Sequence, residues 1–285
     1  MIHTSLSFVF FGTDDFSITI LEKLKEAGFL PKLVVTVPDR PKGRGLLLTP
    51  PPIKLWALSN NVSTLQPEKL DSAFCRTLKD EHHTLFIVAS YGLILPKEVL
   101  DLPLKGTVNV HPSLLPKYRG ATPLESQILG AEKEQGVTII LMDEKMDHGP
   151  IIAQKQIEID PYRKASELRK KMAGVGGMLL AEILPRWIHG EITSVPQDEA
   201  KATYTKKLEK SDGELDLGGN PLQNFLKIQA YDGSIGTHFF VERSGKKMRV
   251  AVKDATFSKG NLLLTRVVPA GKKEMSYTEF LRGLN

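Results

Sequence analysis

The chain of 285 residues is 41% hydrophobic and 25% charged with a formal net charge of +5, long enough for one large or two ordinary domains with a real core. No apolar run approaches the ~20 residues of a membrane helix, and Cys75, the only cysteine, excludes an internal disulfide and a cysteine-rich zinc site. Residues 1–202 hold 24 basic and 24 acidic side chains and residues 203–285 hold 14 and 9, so the positive excess sits at the end, as in a neutral body with an appendage for an anionic partner or a lysine-rich solvated surface.

Met1-Ile2-His3-Thr4-Ser5 lacks a basic stretch followed by an apolar one and a cleavage site, which, with the single cysteine, predicts a cytoplasmic protein. Leu6 to Phe11 is a short apolar run ended by Gly12, the pattern of a buried parallel strand. Thr13-Asp14-Asp15 can cap a helix whose apolar face is Phe16, Ile20, Leu21 and Leu24, closed by Gly28. Leu33 to Val37, Leu85 to Ala89, Thr107 to Val110 and Val137 to Met142 continue the strands, and Ala165 to His189 is helix-rich. Alternating strands and helices predict an α/β domain with a parallel sheet and sites at the carboxyl ends of its strands.

Asp39 to Pro52 interrupts this rhythm with four prolines, two glycines and the basic Arg40, Lys42 and Arg44, and predicts a long exposed loop. Gly190 to Thr205 is polar and reads as a linker. Beyond it, Thr237 to Val241, Met248 to Val252 and Asn261 to Leu264 alternate with turn signals at Ser244-Gly245 and Lys259-Gly260, which predicts a small β-rich domain or barrel. The resulting division is 1–189, 190–205 and 206–285. His82-His83 has no cysteine or acidic ligands at metal spacing and reads as surface, with no metal site. Gly174-Val175-Gly176-Gly177 lacks the strand-to-helix setting of a dinucleotide fingerprint and reads as tight helix packing.

Asn109 and His111, two apart at the end of a predicted strand, share a face. With Asp147 they offer an amide that cannot ionise, an imidazole that carries protons near neutral pH, and a carboxylate. That set suits acyl transfer. Ser113 beside His111 would also fit a serine nucleophile, but no nucleophile elbow surrounds it.

The strings around these residues are Asn109-Val110-His111-Pro112-Ser113-Leu114-Leu115-Pro116, Arg119-Gly120-Ala121-Thr122-Pro123, Gly136-Val137-Thr138 and Asp147-His148-Gly149. Together they resemble the 10-formyltetrahydrofolate-dependent formyltransferases. Phe11-Gly12-Thr13, Pro38 to Gly45, Ala89 to Pro96, Pro269 to Ser276 and Phe280 to Gly283 are similar to the members that formylate methionine carried by initiator tRNA, so the resemblance covers nearly the whole chain. Asp14 stands where the family usually has a proline. Pro150 stands where an acid often follows, and Gln229 to Ser234 lacks the arginine, asparagine and Pro-Trp-Pro elements expected there.

The resemblance implies a Rossmann-like formyltransferase domain with a smaller C-terminal, OB-like β-barrel that binds tRNA. Asn109, His111 and Asp147 would be catalytic. Ser113, Leu114, Leu115 and Pro116, with Tyr91, Leu95, Leu141 and Asp143, would enclose the folate donor, 10-formyltetrahydrofolate. Arg40, Lys42 and Arg44 would engage the tRNA acceptor end. The partners implied are initiator methionyl-tRNA and the folate, with no membrane; a monomer is compatible with the sequence, which leaves the oligomeric state open. The same chemistry on a nucleotide sugar is the competing reading; an idle RNA-binding module is another, against which the intact Asn109, His111 and Asp147 argue.

Overall fold

The computed structural model describes residues 6–43, 45–79, 83–243 and 245–284; Arg44 and His82 lie outside them. Two compact units are present. The first comprises residues up to Arg119, Gly136–Ile157 and Arg169–Thr203; the second comprises Gly120–Gln135, Glu158–Leu168 and the residues from Tyr204 on.

In the first unit, β1 (Phe8–Gly12) leads through α1 (Asp15–Glu26) to β2 (Leu33–Val35). A hairpin of β3 (Arg40–Lys42) and β4 (Leu47–Thr49) follows, then β5 (Ser63–Leu65), β6 (Leu85–Ala89), β7 (Thr107–His111), β8 (Glu134–Leu141) and β9 (Ile151–Glu158). The sheet runs β9-β8-β7-β6-β1-β2-β5. From β5 through β7 its neighbours are parallel, and β8 joins β7 antiparallel. Every residue of β1 and β6 is buried, which explains why both read as unbroken apolar runs rather than alternating ones: each face is covered.

One face carries Val9, Phe11, Phe86 and Val88, packed with Tyr91, Leu95, Val99 and Phe74. Behind the sheet, the helix Ala165–Ile188 comes close because two glycines let it. A Cβ on Gly176 would meet Val110 Cγ1 at 2.6 Å, and one on Gly177 would meet the α1 side chain of Lys23 at 2.7 Å. The glycine run is a packing device. His83 is buried rather than on the surface: it precedes β6, and its ring lies 5.8 Å from that of Phe86 with Ser7 Oγ 3.5 Å from Nδ1. No helix among the described residues is long and apolar enough to cross a membrane.

The second unit is an antiparallel sheet of β10 (Thr237–Arg243), β11 (Lys246–Ser258), β12 (Asn261–Pro269) and β13 (Met275–Ser276), in that order. Lys259 and Gly260 join β11 to β12 with φ of 50° and 81°, the left-handed pair that a tight hairpin turn requires. A bulge around Asp254 bends β11. The core of Phe225, Ile228, Phe239, Val250, Val267 and Phe280 lies between strands and helices. Tyr162 joins it through Phe225 and Phe257, at 5.8 and 6.3 Å between ring centroids, which draws residues 158–168 into this unit.

Candidate active site

β7 alternates. Val108 and Val110 face the long helix, as the Gly176 contact shows, so Asn109 and His111 face the other way. Val88 pairs with Asn109 and with Phe11 in the neighbouring strands, which puts the two polar residues on the same face as the Phe11–Tyr91 cluster. The turn carrying Asp147 lies against the end of β8. A Cβ on Gly149 would strike the Leu141 carbonyl, and Leu141 N–H donates to the Pro150 carbonyl at 2.9 Å. Only glycine allows that approach.

These elements bring Asn109, His111 and Asp147 together. Asp147 Oδ1 accepts from Asn109 Nδ2 at 3.5 Å and lies 3.5 Å from His111 Nδ1. The opposite ring nitrogen, His111 Nε2, is 3.0 Å from the Tyr118 carbonyl. A carbonyl can only accept, so Nε2 carries a hydrogen, and in the neutral ring Nδ1 is the basic atom. Asp147 sits at φ 49° and Tyr118 at φ 64°, left-handed conformations uncommon for non-glycine residues. The imidazole is buried, yet the cluster opens outward through the half-buried Asn109 and Asp147.

A family model described as formyl transferase matches residues 6–184. The methionyl-tRNA formyltransferase of Bacillus pumilus is 39% identical over 300 residues, spanning 97% of this chain and 94% of its own. The chain belongs to the methionyl-tRNA formyltransferase family. Among solved structures, the methionyl-tRNA formyltransferase from Clostridium thermocellum superposes with a TM-score of 0.62 at 15% identity, covering 93% of this chain and 98% of that one. The N-formyltransferase of Helicobacter canadensis, solved with folinic acid and dTDP-3-aminofucose, gives 0.63 at 18%, covering 91% and 95%. At those identities the likeness concerns the fold.

Within this family member, the segment after β7 is tied down internally. The Ser113 hydroxyl donates to the Lys117 carbonyl at 2.7 Å, and its carbonyl accepts from Thr138 Oγ1 at 2.6 Å. Leu115 N–H donates to the same Thr138 oxygen, and Gln154 Nε2 donates to the Leu115 carbonyl at 2.8 Å. The buried Ser113 and Leu115 therefore brace this segment, whereas Leu114 and Pro116 are half-buried. Tyr91 and Leu95 are core: the Tyr91 ring meets Phe11 edge-on at 5.4 Å, and burial pushes its hydroxyl up to about 12. Their neighbour Ile94, 82% exposed, is the open apolar surface of that loop. Leu141 is half-buried. The Asp143 carboxylate lies 2.5 Å from His148 Nδ1 and accepts from Lys145 N–H.

Arg40 and Lys42 are exposed on the β3–β4 hairpin, where Arg40 reaches Glu68 at 3.7 Å. The hairpin tip adds Leu46, Leu47 and Leu48, about 70% exposed each. Its base is anchored by Asp39, which accepts from Lys54 Nζ at 2.9 Å and Gln66 Nε2 at 2.6 Å.

Sequence reasoning passed over two polar clusters. Asp14 caps α1 by accepting from Phe16 N–H, and its other oxygen accepts from Ser90 and from Arg169. The cluster sits just past the carboxyl ends of β1 and β6, where strand order reverses. The second cluster joins Arg119 to Gln197 and Glu199. Its sequence mark is Arg119 inside a quoted motif; nothing in the spacing marks Gln197.

Proposed function

We propose that the protein transfers the formyl group of 10-formyltetrahydrofolate to the α-amino group of methionine esterified to initiator tRNA, in the cytoplasm. The observation that carries the reading is the convergence of Asn109, His111 and Asp147 at the end of β7. The near-full-length likeness to a methionyl-tRNA formyltransferase supports the acceptor.

A model α-amino group has a pKa near 8, so a useful fraction is neutral and nucleophilic at physiological pH. As the amine attacks the formyl carbon, the carbonyl oxygen gains negative charge. Asn109 Nδ2 has two hydrogens: one holds Asp147, and the second donates to that oxygen, a contribution of roughly 3 kcal/mol for one such donor. The amine then sheds a proton. His111 Nδ1 receives it, because Nε2–H is committed to Tyr118, and the resulting imidazolium faces the Asp147 carboxylate. The same proton passes to the departing folate nitrogen as its bond to the formyl carbon breaks, so charge balances over the cycle. Asp147 orients the ring and offsets its transient charge.

The donor lies against Leu114, Pro116, Leu141 and Asp143, with Ser113, Leu115, Tyr91 and Leu95 as the packed wall behind. Arg40, Lys42 and Arg44 take phosphates of the tRNA acceptor end, and the basic excess over residues 203–285 adds to that field. The test offers 10-formyltetrahydrofolate with charged initiator tRNA or with an amino-sugar nucleotide and asks which amine is formylated. Formyl-methionyl-tRNA is the expected product; formylation of the sugar alone overturns the assignment of acceptor.

A further inference from the structure

We propose that Gln197 is a positioning residue for Asp147, a role that rests on the formyl-transfer reading above. Gln197 lies in the polar stretch after the long helix, and that stretch is fastened to the first unit on both sides of it. Ile151 and Val195 exchange two backbone hydrogen bonds at 2.8 Å. The Thr203 carbonyl accepts from Arg119 N–H at 2.8 Å, and Thr203 Oγ1 accepts from Tyr118 N–H at 2.8 Å. The segment is a strap drawn across the Asp147 turn.

Between these fastenings the Gln197 side chain uses its full hydrogen-bonding capacity. Oε1 accepts from Arg119 Nε at 3.1 Å and Nη2 at 2.8 Å. Nε2 donates to the Asp147 carbonyl and to the Gly149 carbonyl, both at 2.8 Å. Two acceptances and two donations exhaust an amide. The polarity also fixes which way the amide lies, since the reverse would set its NH2 against a guanidinium and its oxygen against two carbonyls. Arg119 itself is fully buried and meets Glu199 through two parallel bonds of 3.0 and 2.6 Å, the fork geometry that holds a guanidinium in one place. It is a fixed post from which Gln197 is aimed.

The geometry of Asp147 requires such a hold. Its φ of 49° is a conformation a non-glycine residue keeps when its surroundings over-determine it. The two carbonyls gripped by Gln197 both follow the Asp147 Cα, one its own and one two positions on. They set the direction of its Cα–Cβ bond and so of the carboxylate. That carboxylate reaches Asn109 and His111 at 3.5 Å each, the outer edge of hydrogen-bond range, where a few tenths of an ångström decide whether the contacts exist. Gln197 touches none of the reacting groups and acts through Asp147.

The test compares wild type with Gln197→Ala and Gln197→Glu. Gln197→Glu is the sharper variant: it keeps the shape and pairs with Arg119, but faces two carbonyl oxygens with an acceptor. We expect kcat to fall about 100-fold in both, the scale of a misplaced catalytic group. KM for folate and for tRNA should hold, and Gln197→Glu should keep the wild-type circular dichroism spectrum and a cooperative melt, with at most a modest fall in Tm. Amide hydrogen exchange over residues 143–150, measured without substrates, should rise in Gln197→Glu. Wild-type kcat in Gln197→Glu overturns the inference, as does unchanged exchange in that window. If Gln197→Ala fails to fold, Gln197→Glu decides alone. The wild-type rate, read beside the variants, bears on the proposed function; the ratio of rates and the exchange bear on Gln197.

Discussion

At the end of β7, Asn109, His111 and Asp147 are held from several sides: the Tyr118 carbonyl on the imidazole, the Leu141 carbonyl against Gly149, and Gln197 on the turn. The β3–β4 hairpin is anchored at its base by Asp39, and beyond it presents Arg40, which reaches Glu68, with Lys42 and three exposed leucines. The two regions belong to one unit and follow different physical rules. Formyl transfer needs donors fixed within fractions of an ångström before charge develops. Recognition of a polyanion works through charge over several ångströms, is screened by salt, and tolerates a mobile frame.

The strongest test of this contrast is Asn109→Ala, which should cost roughly 100- to 1,000-fold in kcat while circular dichroism and Tm stay near wild type; near-normal turnover would remove Asn109 from its role. Asp147→Asn, which keeps the shape and loses the charge, should lower kcat by about 10- to 100-fold, the scale of a hydrogen bond to a charged group. Gly149→Ala should lose about 1–3 kcal/mol of stability through overpacking against Leu141, seen as a lower denaturant midpoint with lower activity. On the hairpin side, Arg40→Ala and Lys42→Ala should each raise KM for tRNA, reduce the salt slope of binding by about 1, and leave kcat alone. A drop in kcat at constant KM would place the hairpin with the chemistry instead.

The smallest effect concerns the hairpin base. The Gln66 amide and the Lys54 ammonium hold the half-buried Asp39 carboxyl below its ordinary value of 3.8. Its contribution is therefore complete above that value and is lost as pH falls through the lower folded one. Asp39→Asn should lower Tm slightly at neutral pH and converge with wild type as pH falls below about 4, so that the acid-side decline is flatter in the variant.

Much of the architecture was readable because burial writes itself into the chain. β1 and β6 are apolar throughout since both faces are covered, and Asn109 and His111 fall two apart at the end of a strand that the pattern located. The orientation of Tyr91 was not readable. It sits in a motif string beside Leu93 and Ile94, and its ring turns inward onto Phe11, eighty positions away in the chain. Gln197 was hidden for another reason. Its four hydrogen bonds join residues 48 to 78 positions away, and a polar segment that fastens others looks, in one dimension, like one that merely connects. The second unit likewise recruits residues 120–135 and 158–168 through side-chain packing such as that of Tyr162, which leaves no periodic mark.

The bare backbone of Gly176 has a consequence for inheritance. Because Val110 Cγ1 would be 2.6 Å from any Cβ added there, the strand bearing Asn109 and His111 rests against the helix with no spare thickness between them. A single methyl on the far side of the sheet would press on β7 and shift Asn109 and His111, the side chains to which the proposed function gives the chemistry. Selection on formyl transfer thus reaches through the sheet to a position that no substrate can touch, and a neutral-looking change in the helix would be read out as a slower enzyme.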